Sequence, residues 1–336
     1  MILVESGVMS SPRPNLFDLA TSELSQDAVL CWCIAWADRA HAAADPDLHR
    51  LGRDLVAAML RAGDVEPPDG EYTVTVKRQL ERIDIVAEIG DTHLLAIEDK
   101  VHALELHNPL DEYIKRITAR YPDRRRLFLF LKTGDQSSYG GVRAGGWTPF
   151  LRQQILEVLR NRGSTNAIYR DFLDSLERRD TVVQRYRTVP VASWGPRDPA
   201  YVGLYTALQA EFPDGHWGDV PNKSGGFLGF WWNIRPFKGG KIYLQLEEEE
   251  LVAKIEVEHV SRRSELRKSW SKRVTDGISK FTRPRRFGKG RCMTVASFAE
   301  YRVEGPDGRL DLDATVHDLK AATDALSRLV GPPAAS

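Results

Sequence analysis

Two carboxylates and a lysine have the spacing in this chain that most suggests chemistry. Asp84 lies in the run 83–89, where apolar and polar residues partly alternate, and Glu98 and Lys100 follow the apolar run 93–97. Both runs have the pattern of β-strands, and the Gly90-Asp91-Thr92 segment between them predicts a hairpin loop. The three side chains are therefore expected near one end of a hairpin.

The length of that loop decides whether the carboxylates meet. With a three-residue loop, Asp84 falls directly opposite Glu98, with Cβ atoms roughly 4.5 to 5.5 Å apart. Lys100 shares their face because side chains alternate along a strand. A two-residue loop pairs Asp84 with Ile97 instead and places the carboxylates on opposite faces. The prediction of a site thus requires an odd loop length or a bulge.

Two carboxylates held this close repel each other unless a cation lies between them, and a hard divalent ion prefers such oxygen ligands. We expect Mg²⁺, with Mn²⁺ as a substitute. Such an ion polarises a phosphoryl oxygen and lowers the pKa of a bound water, while a nearby ammonium orients that water. The alternative is an ordinary solvated hairpin end whose residues are simply polar.

The surrounding sequence resembles the PD-(D/E)XK nuclease superfamily, in its uncharacterised bacterial branch. The resemblance lies in the segments 15–18, 23–36 and 83–113. Glu23 matches the glutamate of the family's first helix, because an apolar, tryptophan-containing run follows it. Asp84 matches the strand aspartate, and Glu98-Asp99-Lys100 matches the E-x-K signature. Asn108 and Tyr113 fit the helix that comes next.

This resemblance implies a mixed α/β sheet flanked by helices, as in restriction endonucleases, and an Mg-dependent nuclease that hydrolyses phosphodiester bonds in DNA. The implied catalytic residues are Glu23, Asp84, Glu98 and Lys100. The implied metal ligands are Asp84, Glu98 and the main-chain carbonyl of Asp99. Lys100 would orient the attacking water, and Glu23 would help to position metal or water. A role in defence, such as phage defence, or in repair would follow.

One residue departs from the family pattern. The family usually has a glutamine before the leucine that matches Leu110, and this chain has Pro109 there. Proline is harmless in the first turn of a helix. The missing amide puts the fine positioning of substrate or water in doubt, and it suggests an alternative function. In that alternative the protein is a catalytically silent module that binds nucleic acid or senses an effector within a larger assembly.

The formal net charge of zero conceals a basic segment. Residues 262–291 contain twelve Lys or Arg and two acids, whereas 247–258 is acidic. A helix is predicted over 261–281, with a narrow apolar stripe at four-residue spacing. Basic flanks of this kind suit either a phosphate backbone or plain solvation. The predicted nucleic-acid contacts are Arg267, Lys268, Lys272, Arg273, Arg283, Arg285, Arg286, Lys289 and Arg291.

The chain is long enough for two cores. A Pro-rich stretch at 189–199 predicts a linker, so we expect a nuclease-like domain over 1–190 and an α+β domain over 191–336. In the first domain, helices are predicted over 21–44 and 150–160. In the second, the glycine- and aromatic-rich segment 225–232 suits either a ligand platform or a buried strand with a bulge.

Composition excludes several classes of protein. Three cysteines give no disulfide framework and no zinc spacing. The longest apolar helix candidate, 28–37, is too short to cross a membrane, and the N-terminus lacks the basic region of a signal peptide. We therefore expect a cytoplasmic protein without a membrane partner. Its expected partners are nucleic acid and either a second copy of the chain or a component of a defence system.

Overall fold

The computed structural model describes residues 13–101, 110–222, 225–284 and 290–331. It divides the chain into two compact units, Met1–Thr181 and Val182–Ser336. The predicted boundary after residue 190 falls inside the second unit, because Tyr186 is already part of that unit's buried core. No helix within these ranges combines the length and apolar character that crossing a bilayer requires.

Helices and a five-stranded sheet make up the described part of the first unit. Its helices are α1 (Leu16–Leu19), α2 (Glu23–Ala35), α3 (Pro46–Ala62), α4 (Leu110–Arg120), α5 (Gly140–Ala144), α6 (Arg152–Asn161) and α7 (Ala167–Val183). Its strands are β1 (Val74–Leu80), β2 (Ile83–Ile89), β3 (His93–Lys100), β4 (Arg125–Lys132) and β5 (Thr148–Leu151).

The sheet is mixed, with strand order β1-β2-β3-β4-β5. The first three strands are antiparallel, and β3, β4 and β5 are parallel to one another. Both faces of the sheet are covered: α2, α3, α6 and α7 pack on one face, and α4 and α5 pack on the other. The apolar strand β4 is buried on both faces, as expected for a strand inside a parallel sheet. The predicted α/β class is confirmed.

The β2–β3 hairpin has the three-residue loop, which is the alternative that the predicted site requires. Ile89 pairs with His93, and Ile85 pairs with Ile97. Gly90 begins the loop with φ of +54°, a conformation that glycine adopts without steric cost. When this register is extended by one residue, Asp84 lies opposite Glu98, so both carboxylates share a face.

Two predicted helices of the first unit were too long. The helix predicted over 21–44 ends at Ala35, because the Asp38 carboxylate accepts hydrogen bonds from the backbone N–H groups of Ala40 and Val74 and so fixes a non-helical turn. The helix predicted over 150–160 begins at Arg152, because Phe150 belongs to β5 and pairs with β4.

The second unit has a five-stranded antiparallel sheet in the order β10-β9-β8-β7-β6. Its strands are β6 (His216–Val220), β7 (Phe227–Phe237), β8 (Gly240–Glu247), β9 (Glu250–Val257) and β10 (Cys292–Ala299). Its helices are α8 (Arg185–Thr188), α9 (Pro199–Glu211), α10 (Arg263–Gly277) and α11 (Leu312–Val330). The basic helix α10 is shorter than predicted but buries the expected stripe, which includes Leu266, Trp270 and Val274.

Candidate active site

Asp84, Glu98 and Lys100 lie together at one end of the β2–β3 hairpin. The Lys100 Nζ atom is 2.9 Å from Glu98 Oε1 and 3.3 Å from Asp84 Oδ2. Nζ also donates a hydrogen bond of 2.8 Å to the main-chain carbonyl of Asp99. Three oxygen atoms from two strands therefore converge on a single ammonium group.

Asp84 is held by further hydrogen bonds. Its Oδ2 accepts from the backbone N–H of Asp99 at 3.0 Å, and its Oδ1 accepts from Gln79 Nε2 at 3.0 Å. These contacts tie the end of β2 to both of its neighbouring strands, β1 and β3. The Asp84 carboxylate thus has little freedom to turn away from Lys100.

Glu23 reaches the same end of the sheet from helix α2. The preceding residue, Ser22, caps the helix by accepting from the backbone N–H of Ser25. The Glu23 carboxylate accepts a 2.9 Å hydrogen bond from the backbone N–H of Val101, directly after β3. Its negative charge also raises the pKa of Lys100. The structure therefore brings together all four residues for which we predicted a catalytic role.

Burial and mutual repulsion shape the electrostatics of this site. Burial, and then the charge of Asp84, raise the pKa of Glu98 to about 7. Burial alone would lower the pKa of Lys100, but the charges of Glu98 and Asp84 outweigh it, so that pKa lies above the usual lysine value. The lysine is therefore charged at neutral pH, and it stabilises a pair of carboxylates that would otherwise repel each other.

The side chain of Asp99 belongs to a second polar cluster on the α2 side of the sheet. Gln26 Nε2 donates to Asp99 Oδ1 at 2.6 Å, and Thr133 Oγ1 donates to Gln26 Oε1 at 2.7 Å. Burial and the charge of Asp84 raise the pKa of Asp27, which also lies here, to about 6. Burial likewise raises the pKa of Asp99.

We did not predict this cluster or the buried Lys132. Lys132 pairs with Lys100 across the parallel strands β3 and β4 and is fully buried. Burial lowers its pKa to about 8, although the charges of Glu23 and Asp135 act in the opposite direction. A lysine that ends an apolar strand, and the polar pair Gln26-Asp27 inside an apolar helix, were the available signals.

Of the other predicted residues near the site and in the basic segment, Tyr113 is described by the structure and several are not. Tyr113 on α4 is buried, and burial and the charges of Glu98 and Asp84 raise the pKa of its hydroxyl, so its ring lies beside the site. Asn108, Pro109, Arg285, Arg286 and Lys289 lie outside the described residues.

Several basic residues of the predicted nucleic-acid surface make internal contacts. On α10, Lys272 pairs with Asp276 at 2.5 Å, and Arg273 packs over the Trp270 ring, 4.9 Å from its centroid. Arg267 and Lys268 lie on the same helix, Arg283 follows it, and Arg291 precedes β10. Arg291 Nε lies 3.5 Å from Glu256 Oε1.

The oxygen donors at Lys100 fit a hard divalent cation. Two carboxylates and one carbonyl face a common point, where these oxygens already stabilise the positive charge of an ammonium group. Across the described ranges, no group of three or more His, Cys, Asp or Glu side chains is arranged to hold a metal ion.

One family model matches the part of the chain that contains this site. A family model described as the PD-(D/E)XK nuclease superfamily matches residues 14–166. This range includes β1 to β5 and every residue of the site discussed above. Comparisons of the whole chain with curated proteins and with solved structures gave no match.

Proposed function

Residues 14–166 belong to the PD-(D/E)XK nuclease superfamily, and from this premise we propose that the protein is a metal-dependent nuclease that hydrolyses phosphodiester bonds in DNA. The observation that carries the proposal is the convergence of Asp84, Glu98 and the Asp99 carbonyl on the ammonium of Lys100. Nucleases of this superfamily generally use divalent metals.

Asp84, Glu98 and the Asp99 carbonyl are the residues that would hold Mg²⁺, with Mn²⁺ as a substitute. When bound, the ion supplies a Lewis acid for a phosphoryl oxygen and lowers the pKa of a water molecule. The raised pKa of Glu98 means that its carboxyl must lose a proton before it can serve as a ligand near neutral pH.

Lys100 orients the attacking water and stabilises the negative charge that develops on the phosphoryl oxygens. Its raised pKa keeps the proton on Nζ at neutral pH, so the ammonium donates hydrogen bonds and does not act as a general base. The side chain lies within hydrogen-bond distance of Glu98 and the Asp99 carbonyl, which limits the directions in which its N–H groups point.

Glu23 acts as a positioning residue. Its hydrogen bond to the Val101 N–H fixes the chain as it leaves β3, one residue after Lys100. Its charge also offsets the cost of burying the Lys132 ammonium. The fixed end of β3 keeps Glu98 and Lys100 in register with Asp84.

The basic side chains of α10 and of the segment after it would contact the phosphate backbone. Arg267, Lys268, Lys272 and Arg273 share one helix, which places several positive charges along a single element. A role in defence or repair remains a prediction, as does association with a second copy or a defence-system partner.

The proposal is tested by cleavage assays with the Asp84→Asn and Lys100→Met proteins. Supercoiled and linear DNA, and RNA, are incubated with Mg²⁺, with Mn²⁺ and with EDTA. We expect the wild-type protein to cut DNA only with metal, and both variants to be slower by a factor on the order of 10² or more.

Lys115→Met is the matched control, because Lys115 is an exposed lysine on α4 whose only described ion pair is with Glu112 in the same helix. It should cut at the wild-type rate. A wild-type protein that cuts no nucleic acid, or site variants that cut as fast as Lys115→Met, would refute the proposal. Metal-dependent binding of nucleic acid without cleavage would instead support the silent module.

A further inference from the structure

The sheet of the second unit has one face that its own described helices do not cover. Helices α9, α10 and α11 bury the face that includes Phe230 and Trp232. Side chains alternate along each strand, so the other face, here called the open face, carries Trp231, Tyr243 and Gln245. Trp231 and Tyr243 are only half-buried.

The open face contains a recess of about 150 Å³. It is lined by Trp231, Ile234, Lys241, Tyr243, Gln245 and Glu256. A cavity of roughly this volume holds one benzene-sized ring in other proteins. The recess therefore has room for a single planar ring system, with two aromatic side chains in its walls.

The polar groups of the recess suit a base attached to a phosphate. The buried carboxamide of Gln245 donates a hydrogen bond of 3.0 Å from Nε2 to Glu247. Its amide nitrogen is thus engaged with Glu247, and its oxygen can accept a hydrogen bond from a ligand in the recess. At the rim, Glu256 lies 3.1 Å from Lys241 and 3.5 Å from Arg291. Two cations share this one carboxylate, so the rim carries excess positive charge.

The aromatic surface extends beyond the recess along strand β7. Phe227 precedes Trp231 by four residues on the same face, a separation of roughly 13 Å. Lys254 Nζ lies 5.9 Å from the centroid of the Phe227 ring. An extended strand of several nucleotides can contact both aromatic residues, whereas a free mononucleotide reaches only one.

We propose that the recess binds an unpaired base of single-stranded nucleic acid, with Trp231 and Tyr243 against the base and Lys241 and Arg291 near its phosphate. A duplex does not fit this chemistry, because the faces of its bases are already stacked. Arg291 is also the last residue of the basic segment 262–291. The choice of nucleic acid as the partner rests on the proposed function.

The test measures binding by the full-length protein in EDTA, so that it does not depend on cleavage. The probe is a fluorescein-labelled single strand of about 12 nucleotides, and binding is followed by fluorescence anisotropy. Trp231→Ala should weaken binding about tenfold, while Trp231→Phe, which keeps an aromatic ring, should lose much less. Lys241→Gln should weaken binding a few-fold and reduce its salt dependence.

Lys320→Gln is the matched control, because Lys320 is a lysine of the same unit that is also paired to one glutamate, Glu211 at 2.6 Å. It should bind like the wild-type protein. A strand containing 2-aminopurine provides a second readout, since the fluorescence of a base that stacks on Trp231 is quenched in the wild type and recovers in Trp231→Ala. Thermal unfolding of each variant excludes loss of fold as the cause.

Three results would overturn the inference. In the first, the wild-type protein does not bind the single strand. In the second, the wild type and Trp231→Ala bind it equally well. In the third, an unlabelled mononucleotide displaces the labelled strand at the same concentration as an unlabelled strand does. The cleavage assay is separate: binding that depends on Trp231 without any cleavage refutes the nuclease proposal alone. Cleavage without such binding refutes this inference alone.

Discussion

The Glu98 carboxyl lowers the stability of the protein at neutral and alkaline pH. Its pKa is raised from 4.5 to about 7, so between these values the folded state binds more protons than the unfolded state. Stability therefore falls as the pH rises through this window, and the full penalty is present above it. The candidate site is therefore less stable with a charged side chain at this position than it would be with a neutral one.

Glu98→Gln removes that penalty. We expect the variant, in EDTA, to exceed the wild type in free energy of unfolding at pH 8 by on the order of 1–3 kcal/mol, and to lose the advantage near pH 4.5. Urea denaturation at several pH values measures this. Glu157→Gln, at an exposed position on α6, should show no such change with pH. A Glu98→Gln advantage that is the same at pH 8 and pH 4.5 would contradict the argument.

Sequence periodicity predicted the hairpin that carries Asp84, Glu98 and Lys100, but it left open the loop length on which their shared face depends. Asp84, Glu98 and Lys100 share a face because side chains alternate and the loop has three residues, and both features are local. The positions of Gln26 and Lys132 near the site could not be predicted in this way. Gln26 bonds to residues 73 and 107 positions away in the sequence, and no local pattern encodes such contacts.

At the level of elements, the position of α2 depends on a close contact with α3. A Cβ atom on Gly52 would lie 2.6 Å from Ala37 N and 2.7 Å from Cys33 O, so the backbones of these segments approach at van der Waals distance. Helix α2 carries Glu23 and Gln26, which means that this contact also sets their distance from β3.

Gly52→Ala should therefore affect both stability and activity. We expect it to destabilise the protein by about 1–3 kcal/mol, as overpacking generally does, and to slow cleavage by moving Glu23. Thermal unfolding and cleavage rates measure the two effects. Gly163→Ala is the control, because no atom lies within 4 Å of the added Cβ and its φ is not in the left-handed region. If the two alanine variants behave alike, the contact does not set the position of α2.

The ends of elements were harder to predict than their existence. The sequence favoured a helix over 21–44, but the Asp38 carboxylate accepts a hydrogen bond from the backbone N–H of Val74, which lies 36 residues away. Strand β5 is only four residues long and becomes a strand by pairing with β4, so local sequence alone favoured a helix through Phe150. In both cases a tertiary hydrogen bond overrode the local pattern.

At the level of the whole molecule, the buried apolar side chains form separate clusters. Those of the first unit end at Leu176, and that of the second begins at Tyr186. Each unit also has a complete five-stranded sheet of its own. Folding of one unit therefore does not require side chains from the core of the other.

Chains of residues 1–184 and 182–336 should each fold when expressed alone. We expect a single cooperative transition for each by circular dichroism, with cleavage in the first and single-strand binding in the second. A chain of residues 1–150 is the control, because it lacks α6 and α7 and with them Ile155, Leu156 and Phe172 of the core. It should not unfold cooperatively. A non-cooperative transition in either longer chain would show that the units depend on each other.

The contacts of Lys100 have a consequence for how the proposed site would respond to a divalent metal. The ammonium occupies the point that Asp84, Glu98 and the Asp99 carbonyl all face, so it is a built-in competitor of any ion that uses the same oxygens. An ion that binds these oxygens must replace their contacts with Lys100. The free energy of those contacts therefore reduces the free energy of ion binding. The resting enzyme would then stay idle at low concentrations of free divalent metal.

Affinity and turnover should consequently change in opposite directions in Lys100→Met. Calorimetric titration with Mn²⁺ should show tighter binding than in the wild type, although the variant cuts DNA more slowly. Weaker Mn²⁺ binding by Lys100→Met would mean that the lysine assists the ion instead. If the competition holds, the strength of one ion-pair network would set the metal concentration at which the proposed nuclease activity begins.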